Sequence, residues 1–218
     1  MTKYFIMAMK EEAGCPSGFF YAYLVNDFQN GSYKENYGKL PWYAGPKKFG
    51  GTLPPFPRDL SLVVEDQSYA YDIRRGSVHF YIISDKLATI LPSFKTSLVE
   101  LAPVAYLNRS GETIQGKKYY AAKTRRISKK EIVDYKASKV AGEFGEMFET
   151  IKFKDNINLD LFDMFDTSPN QFSLIASEHL KSAMENEGIK GVTFIDIETV
   201  KLNSQEDIER GSMKYTPV

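Results

Sequence analysis

The stretch from Gln171 to Ile197, QFSLIASEHLKSAMENEGIKGVTFIDI, constrains the fold more than any other. It reads as strand, capped helix, glycine stop and second strand. Ser177 suits an N-cap, because its hydroxyl can accept from the free amides of the first turn. Glu178 then sits at the positive end of the helix dipole. Leu180, Ala183 and Met184 fall on one face, with Glu187 continuing the helical spacing. Gly188 can take the left-handed conformation that ends a helix, and Gly191-Val192-Thr193-Phe194-Ile195 opens a strand.

Length and composition bound the rest. A chain of 218 residues is enough for one large domain over 1–218, or for an N-terminal β/loop lobe over 1–75 and an α+β lobe over 76–218. With 15 Phe and 14 Tyr a substantial core can be built, and Lys+Arg and Asp+Glu balance at 28 each, which removes any global pull toward nucleic acid or membrane. A single cysteine, Cys15, excludes an intrachain disulfide and fits a reducing compartment. The apolar run near the N-terminus is too short for a signal peptide, and no stretch reaches the length of a membrane span. A cytoplasmic protein is the expectation.

Along the chain, Lys3–Lys10, Phe19–Val25, Leu60–Val64, Val78–Ile83 and Leu98–Leu107 read as strands. Asn108-Arg109-Ser110-Gly111 is a hairpin turn leading to a partner strand over Thr113–Lys123, and Asn158–Phe165 is short and apolar-acidic. Asn26–Pro57 is broken by glycine and proline, while Trp42, Tyr43, Phe49 and Phe56 suggest an ordered loop pinned by aromatics. The fold class is α+β, with a mixed or mainly antiparallel sheet and a few short helices. One correspondence stands out: Ser84 is followed by Leu87, Ile90 and Leu91 at the offsets that separate Ser177 from Leu180, Ala183 and Met184, and Pro92 stops the first helix. Any capped amphipathic helix after a strand shows these offsets. That plainer reading is preferred, since identity beyond the offsets is slight; the sharper one is two copies of a strand–helix unit.

Catalytic constellations are sparse. Two histidines, His79 and His179, and one cysteine do not make a zinc set, and no cofactor or metal is expected. Ser177, Glu178 and His179 are the residue types of a triad, but neighbours on a helix point about 100° apart. Gly45–Gly51 lacks the order of a phosphate loop. Charge is segregated instead. Lys117–Lys139 is basic, Glu143–Asp166 is acidic, and Glu185–Glu209 is acidic again. These runs are either solvated faces that pair within the fold or surfaces that steer a charged partner. The segment Asp155–Asp166 alternates acids with Leu159, Leu161, Phe162, Met164 and Phe165, which suits an inhibitor that meets a basic cleft with carboxylates and apolar anchors.

The pattern Ser177-x-x-Leu180-x-x-Ala183, then Glu187-Gly188-Ile-x-Gly191-Val192-x-Phe194, is similar to the C-terminal signature of a bacterial immunity-protein family, immunity family eleven, with immunity family forty-three as a close relative. The resemblance is clear over about the last quarter of the chain. It implies a protein that binds and neutralises a cognate polymorphic or type VI-delivered toxin in the cytosol, by occluding its active site and without chemistry. It transfers no catalytic residue. The partner-binding positions expected on this reading are Asp155, Asp160, Phe162, Asp163, Phe165, Asp166, Glu185 and Glu187. Two other classes stay open: a hydrolase that reverses the toxin's damage, and a nucleic-acid-binding module using Tyr119 and Tyr120 beside Lys117, Lys118, Arg125 and Arg126. Oligomeric state is not legible.

Overall fold

The computed structural model describes residues 2–16, 22–36, 53–77, 79–141, 147–165, 173–199 and 218. Its strands are β1 (Tyr4–Met9), β2 (Ala22–Asn26), β3 (Leu60–Val64), β4 (Ile73–Ser77), β5 (Phe80–Ser84), β6 (Leu98–Leu107), β7 (Tyr119–Thr124), β8 (Arg126–Ser128), β9 (Lys139–Ala141), β10 (Met147–Thr150), β11 (Leu161–Phe165), β12 (Ser173–Ser177) and β13 (Val192–Asp196). The helices are α1 (Tyr33–Asn36), α2 (Asp85–Ile90), α3 (Lys129–Ile132) and α4 (Glu178–Asn186). One sheet runs β13-β1-β12-β11-β8 and another β2-β3-β6-β7-β5-β4, with β9 and β10 as a separate pair. Pairing is antiparallel except for β3 with β6 and β8 with β11. The fold is thus α+β with mixed sheets, as the residue pattern implied. Trp42, Tyr43, Phe49 and the Gly45–Gly51 run lie outside the described residues.

The capped helix forms as expected: Leu180 N donates to Ser177 Oγ at 3.2 Å, and Gly188 ends the helix at φ 63°. Leu87 N donates to Ser84 Oγ over the same distance, 3.2 Å. Pro92 falls in a 3-10 turn over Leu91–Ser93, so α2 has six residues where α4 has nine.

The two strand–helix units are copies, which overturns the plainer reading. Ser84 N and Oγ both donate to Asp72, to its carbonyl (2.9 Å) and to Oδ1 (2.5 Å). Ser177 N and Oγ donate in the same way to Asp160 O (2.8 Å) and Oδ1 (2.6 Å). The other oxygen of each aspartate crosses to the opposite unit. Asp72 Oδ2 accepts from Lys190 N (2.6 Å), just past α4, and Asp160 Oδ2 accepts from Lys95 N (3.0 Å), just past α2. The backbones repeat the exchange, Asp72 N to Lys190 O (3.1 Å) and Asp160 N to Lys95 O (2.6 Å).

Strand order completes the match. In one unit β7 lies between β5 and β6, with Ser84 opposite Tyr119; in the other β1 lies between β12 and β13, with Ser177 opposite Tyr4. Asp85 N donates to Lys118 O and Glu178 N to Lys3 O, both at 2.9 Å. The second copy therefore takes its closing strand from the far end of the chain. The core shared by both sheets, α2 and α4 is built from the corresponding pairs Ile73/Leu161, Tyr81/Leu174, Ile83/Ala176, Leu87/Leu180, Leu91/Met184 and Ala122/Met7, with Val218 buried among them. Further cores lie around Leu62, Phe80 and Tyr119 on one sheet and around Ile6, Phe162 and Ile175 on the other.

Candidate partner-binding surface

The acidic positions separate into buried and exposed sets. Phe162 is 0 % exposed and sits wholly in the core. Asp163 is buried, and Asp160 is spent on Ser177 and Lys95. These three hold the fold together and present no anchor on the free protein. Asp155 is exposed, close to Asp196 and Glu198 around a small hollow at the end of β13. Glu185 and Glu187 are exposed at the end of α4. Phe165 closes β11, but its side chain, like all of Asp166 and the acids beyond Thr199, is outside the described residues.

Apolar exposure points elsewhere. Among the described residues the large apolar side chains left in solvent are Val99 (59 %), Leu101 (37 %) and Tyr135 (45 %). Two of these lie on β6, with Pro103 and Ala105 also exposed along the strand. Leu101 lies opposite Ala122 and Pro103 opposite Tyr120, so they share the sheet face that α2 begins to cover. Leu98 and Glu100 straddle a bulge that turns Val99 outward. Proline is tolerated there because β3 pairs with β6 only over Ala105–Leu107. At the rim Asp85 Oδ1 accepts from Tyr120 OH (2.9 Å), and the neighbouring Lys86 Nζ donates to Gly188 O (3.2 Å) past the end of α4; Glu185 pairs with Lys181 (2.8 Å) on the β1–β13 face of the other sheet. Lys118 is exposed next to Asp85, whose amide donates to its carbonyl at 2.9 Å.

A buried polar bridge joins the two sheets near the β4–β5 turn. Asp163 Oδ2 accepts from Tyr81 OH (3.2 Å) and Thr124 Oγ1 (3.3 Å), and Arg75 donates to Tyr81 OH (3.1 Å). Asp163 Oδ1 carries no hydrogen bond. Burial raises the Asp163 carboxyl above its usual range, against the pull of Arg75 and Arg126. His79 Nδ1 faces Arg126 at 3.3 Å; a guanidinium can only donate, so Nδ1 accepts and the proton sits on Nε2. Burial, then Arg126, pull His79 down to about 4 from 6.5. The unfolded chain therefore takes up that proton first. Stability from neutral His79 is complete above about pH 6.5 and is lost as pH falls toward 4, whereas the raised Asp163 acts with the opposite sign. His79→Gln is expected to reduce the stability lost between pH 7 and 4.5 by about 1–2 kcal/mol, after discount for partial exposure. Urea titrations at the two pH values measure it, and an unchanged difference would refute it.

In the basic segment Tyr119, Lys117 and Lys123 are engaged within the fold. Tyr119 is buried with its hydroxyl on Tyr71 O (3.0 Å), Lys117 donates to the carbonyls of Gln67 and Tyr69, and Lys123 is buried against Glu100 and Pro54 O. Cys15 is fully buried, and burial raises its thiol. Among the described residues no group of three or more His, Cys, Asp or Glu is placed to hold a metal, and no helix is long and apolar enough to cross a membrane.

None of the curated proteins compared with this chain matches it. The C-terminal signature over Ser177–Phe194 lies within a longer likeness: the family model of immunity protein 43 matches residues 14–205, which takes in both capped helices and β6 but not β1. By that match the chain belongs to the immunity protein 43 family.

Proposed function

We propose that this immunity protein acts by binding a cognate toxin in the cytoplasm and covering its active site, with no turnover of its own. The observation that carries the reading is the apolar stripe of Val99 and Leu101 on β6, with Asp85 at the rim on the Tyr120 hydroxyl. Apolar side chains left in water beside a carboxylate are what a protein partner presenting apolar and basic groups would cover. The acids speed encounter, and the apolar centre holds the complex. Glu185 and Glu187, exposed at the end of α4, are proposed as a separate edge of the contact. Asp155 lies at a different end of the fold and serves a separate edge of the contact, if the toxin is large enough to reach both.

The test is capture of partners by the tagged chain from a lysate of its own host, with mass spectrometry, followed by titration of the captured toxin. Leu101→Asp with Val99→Asp is expected to weaken binding at least about a hundredfold, in the range of a hot-spot loss. Full affinity in that double variant would place the contact elsewhere, and turnover without toxin would favour an enzyme.

A further inference from the structure

The duplication contains its own instruction for what sits on the β6 surface. In the second copy, the face made by β1 and β13 is covered by a lysine of α4. Lys181 Nζ lies 5.2 Å from the Phe5 ring centre and 5.9 Å from that of Phe194, and pairs with Glu185 Oε2 at 2.8 Å. Its ammonium lies over both rings, where the ring faces attract a cation.

The first copy has the same floor without the lid. Tyr120 corresponds to Phe5, since each follows the tyrosine opposite its capping serine. Leu101, opposite Ala122, corresponds to Phe194, opposite Met7. Ala88, four residues after Ser84, stands where Lys181 stands four after Ser177. An alanine cannot reach across the floor, and α2 stops early at Pro92, so Leu101 stays 37 % exposed. Asp85, one helical turn before Ala88, holds its carboxylate at the Tyr120 hydroxyl on the same helix side.

We infer that the Ala88–Leu101–Tyr120 surface is a seat for a lysine or arginine of a protein partner, flanked there by aliphatic residues. The partner's cation lies over Tyr120 and beside Asp85, and its stem covers Leu101, as Lys181 covers Phe5 and Phe194 within the chain. Two features of the molecule select this occupant over a purely apolar one: the acidic carboxylate at the rim, and the cation that fills the duplicate. The inference rests on the proposed function only in taking the partner to be a protein, and it adds the chemistry that partner must present.

The test needs no toxin. A library of random short peptides displayed on phage is selected on the folded full chain, and the affinity of the selected peptide is measured by fluorescence anisotropy. Peptides with a lysine or arginine next to aliphatic residues, bound one per chain, are expected. Ala88→Lys, which installs the missing lid, is expected to weaken them about tenfold or more. Leu101→Ser should do the same, and circular dichroism verifies that both variants fold. Lys181→Ala uncovers the duplicate floor and should raise the stoichiometry from one peptide to two. Failure to select peptides, selection of peptides without a cation, or affinity unmoved by Ala88→Lys would overturn the inference. So would a chain dimer dissolved by Leu101→Ser, which would assign the surface to a second copy. Peptide binding that persists where no toxin is captured would remove the immunity mechanism and leave the seat standing; the reverse result would remove the seat alone.

Discussion

Replacing Asp160 with alanine is expected to destabilise the chain by about 2–4 kcal/mol, and replacing Asp72 by about the same amount. Each carboxylate accepts one hydrogen bond from a capping serine of its own unit and one from an amide past the helix of the other unit. Hydrogen bonds to a charged group are each worth about 1.5–3 kcal/mol. Ser177 is 1 % exposed, so its hydroxyl finds no water when Asp160 is gone. The freed amide of Lys95, by contrast, belongs to an exposed residue and can be solvated, which keeps the loss below the full sum.

The near-equality matters more than the size. An aspartate that merely tightened one N-cap would cost about 1 kcal/mol. Here both clasps resist the same motion, the parting of the two sheets over their shared core. Urea unfolding of Asp72→Ala, Asp160→Ala and the pair gives the comparison. A large loss at one position with a negligible loss at the other would show that the correspondence is one of shape and not of energy.

Half of this duplication is legible in the chain. The serine, the apolar offsets and the strand before each helix can be read locally. The closing strand cannot, because β1 serves the second copy from the opposite end of the chain, and a scan for tandem units sees only β12, α4 and β13. Charge misleads in the same region. Asp160, Asp163 and Asp166 look like one outward row beside Leu161, Phe162 and Met164. But β11 lies between β12 and β8 with cores on both faces, so Leu161, Phe162, Asp163 and Met164 are all buried and period-two reasoning loses its meaning. The β6 surface is hidden for the converse reason. LVELAPVAYL reads as an interior strand, and only the early stop of α2 at Pro92 leaves part of its face in water. Strand β4 is illegible in the sequence because its second and third residues are Arg74 and Arg75, which no apolar pattern recruits.

Arg74→Ala is expected to be the most damaging single change among the described residues, at about 4–5 kcal/mol. The side chain is 1 % exposed, and it stands where the duplicate has Phe162, an ordinary core aromatic. Its Nη1 donates to Gly191 O (2.5 Å) and Ile73 O (3.2 Å), its Nη2 to Pro16 O (3.4 Å), and the guanidinium stacks 4.5 Å from the Tyr71 ring centre. Glu12 completes the knot by accepting from Gly191 N at 2.7 Å. One planar fork thus ties the N-terminal loop, β4 and the turn before β13, where Gly191 takes φ 76° and a Cβ would meet Tyr71 at 2.9 Å. Alanine strips the donors from buried carbonyls and leaves a cavity together. Arg74→Met restores volume without donors and is expected to recover about half the loss, while Arg74→Lys recovers little, because one ammonium cannot serve a forked set of acceptors. Cys15 reports the event directly. It is 0 % exposed, and burial raises its thiol, so it should resist thiol reagents in the native protein. In Arg74→Ala it should label fast without denaturant, and a variant that stayed unlabelled and melted near the wild-type temperature would show that the knot carries far less energy than its geometry implies.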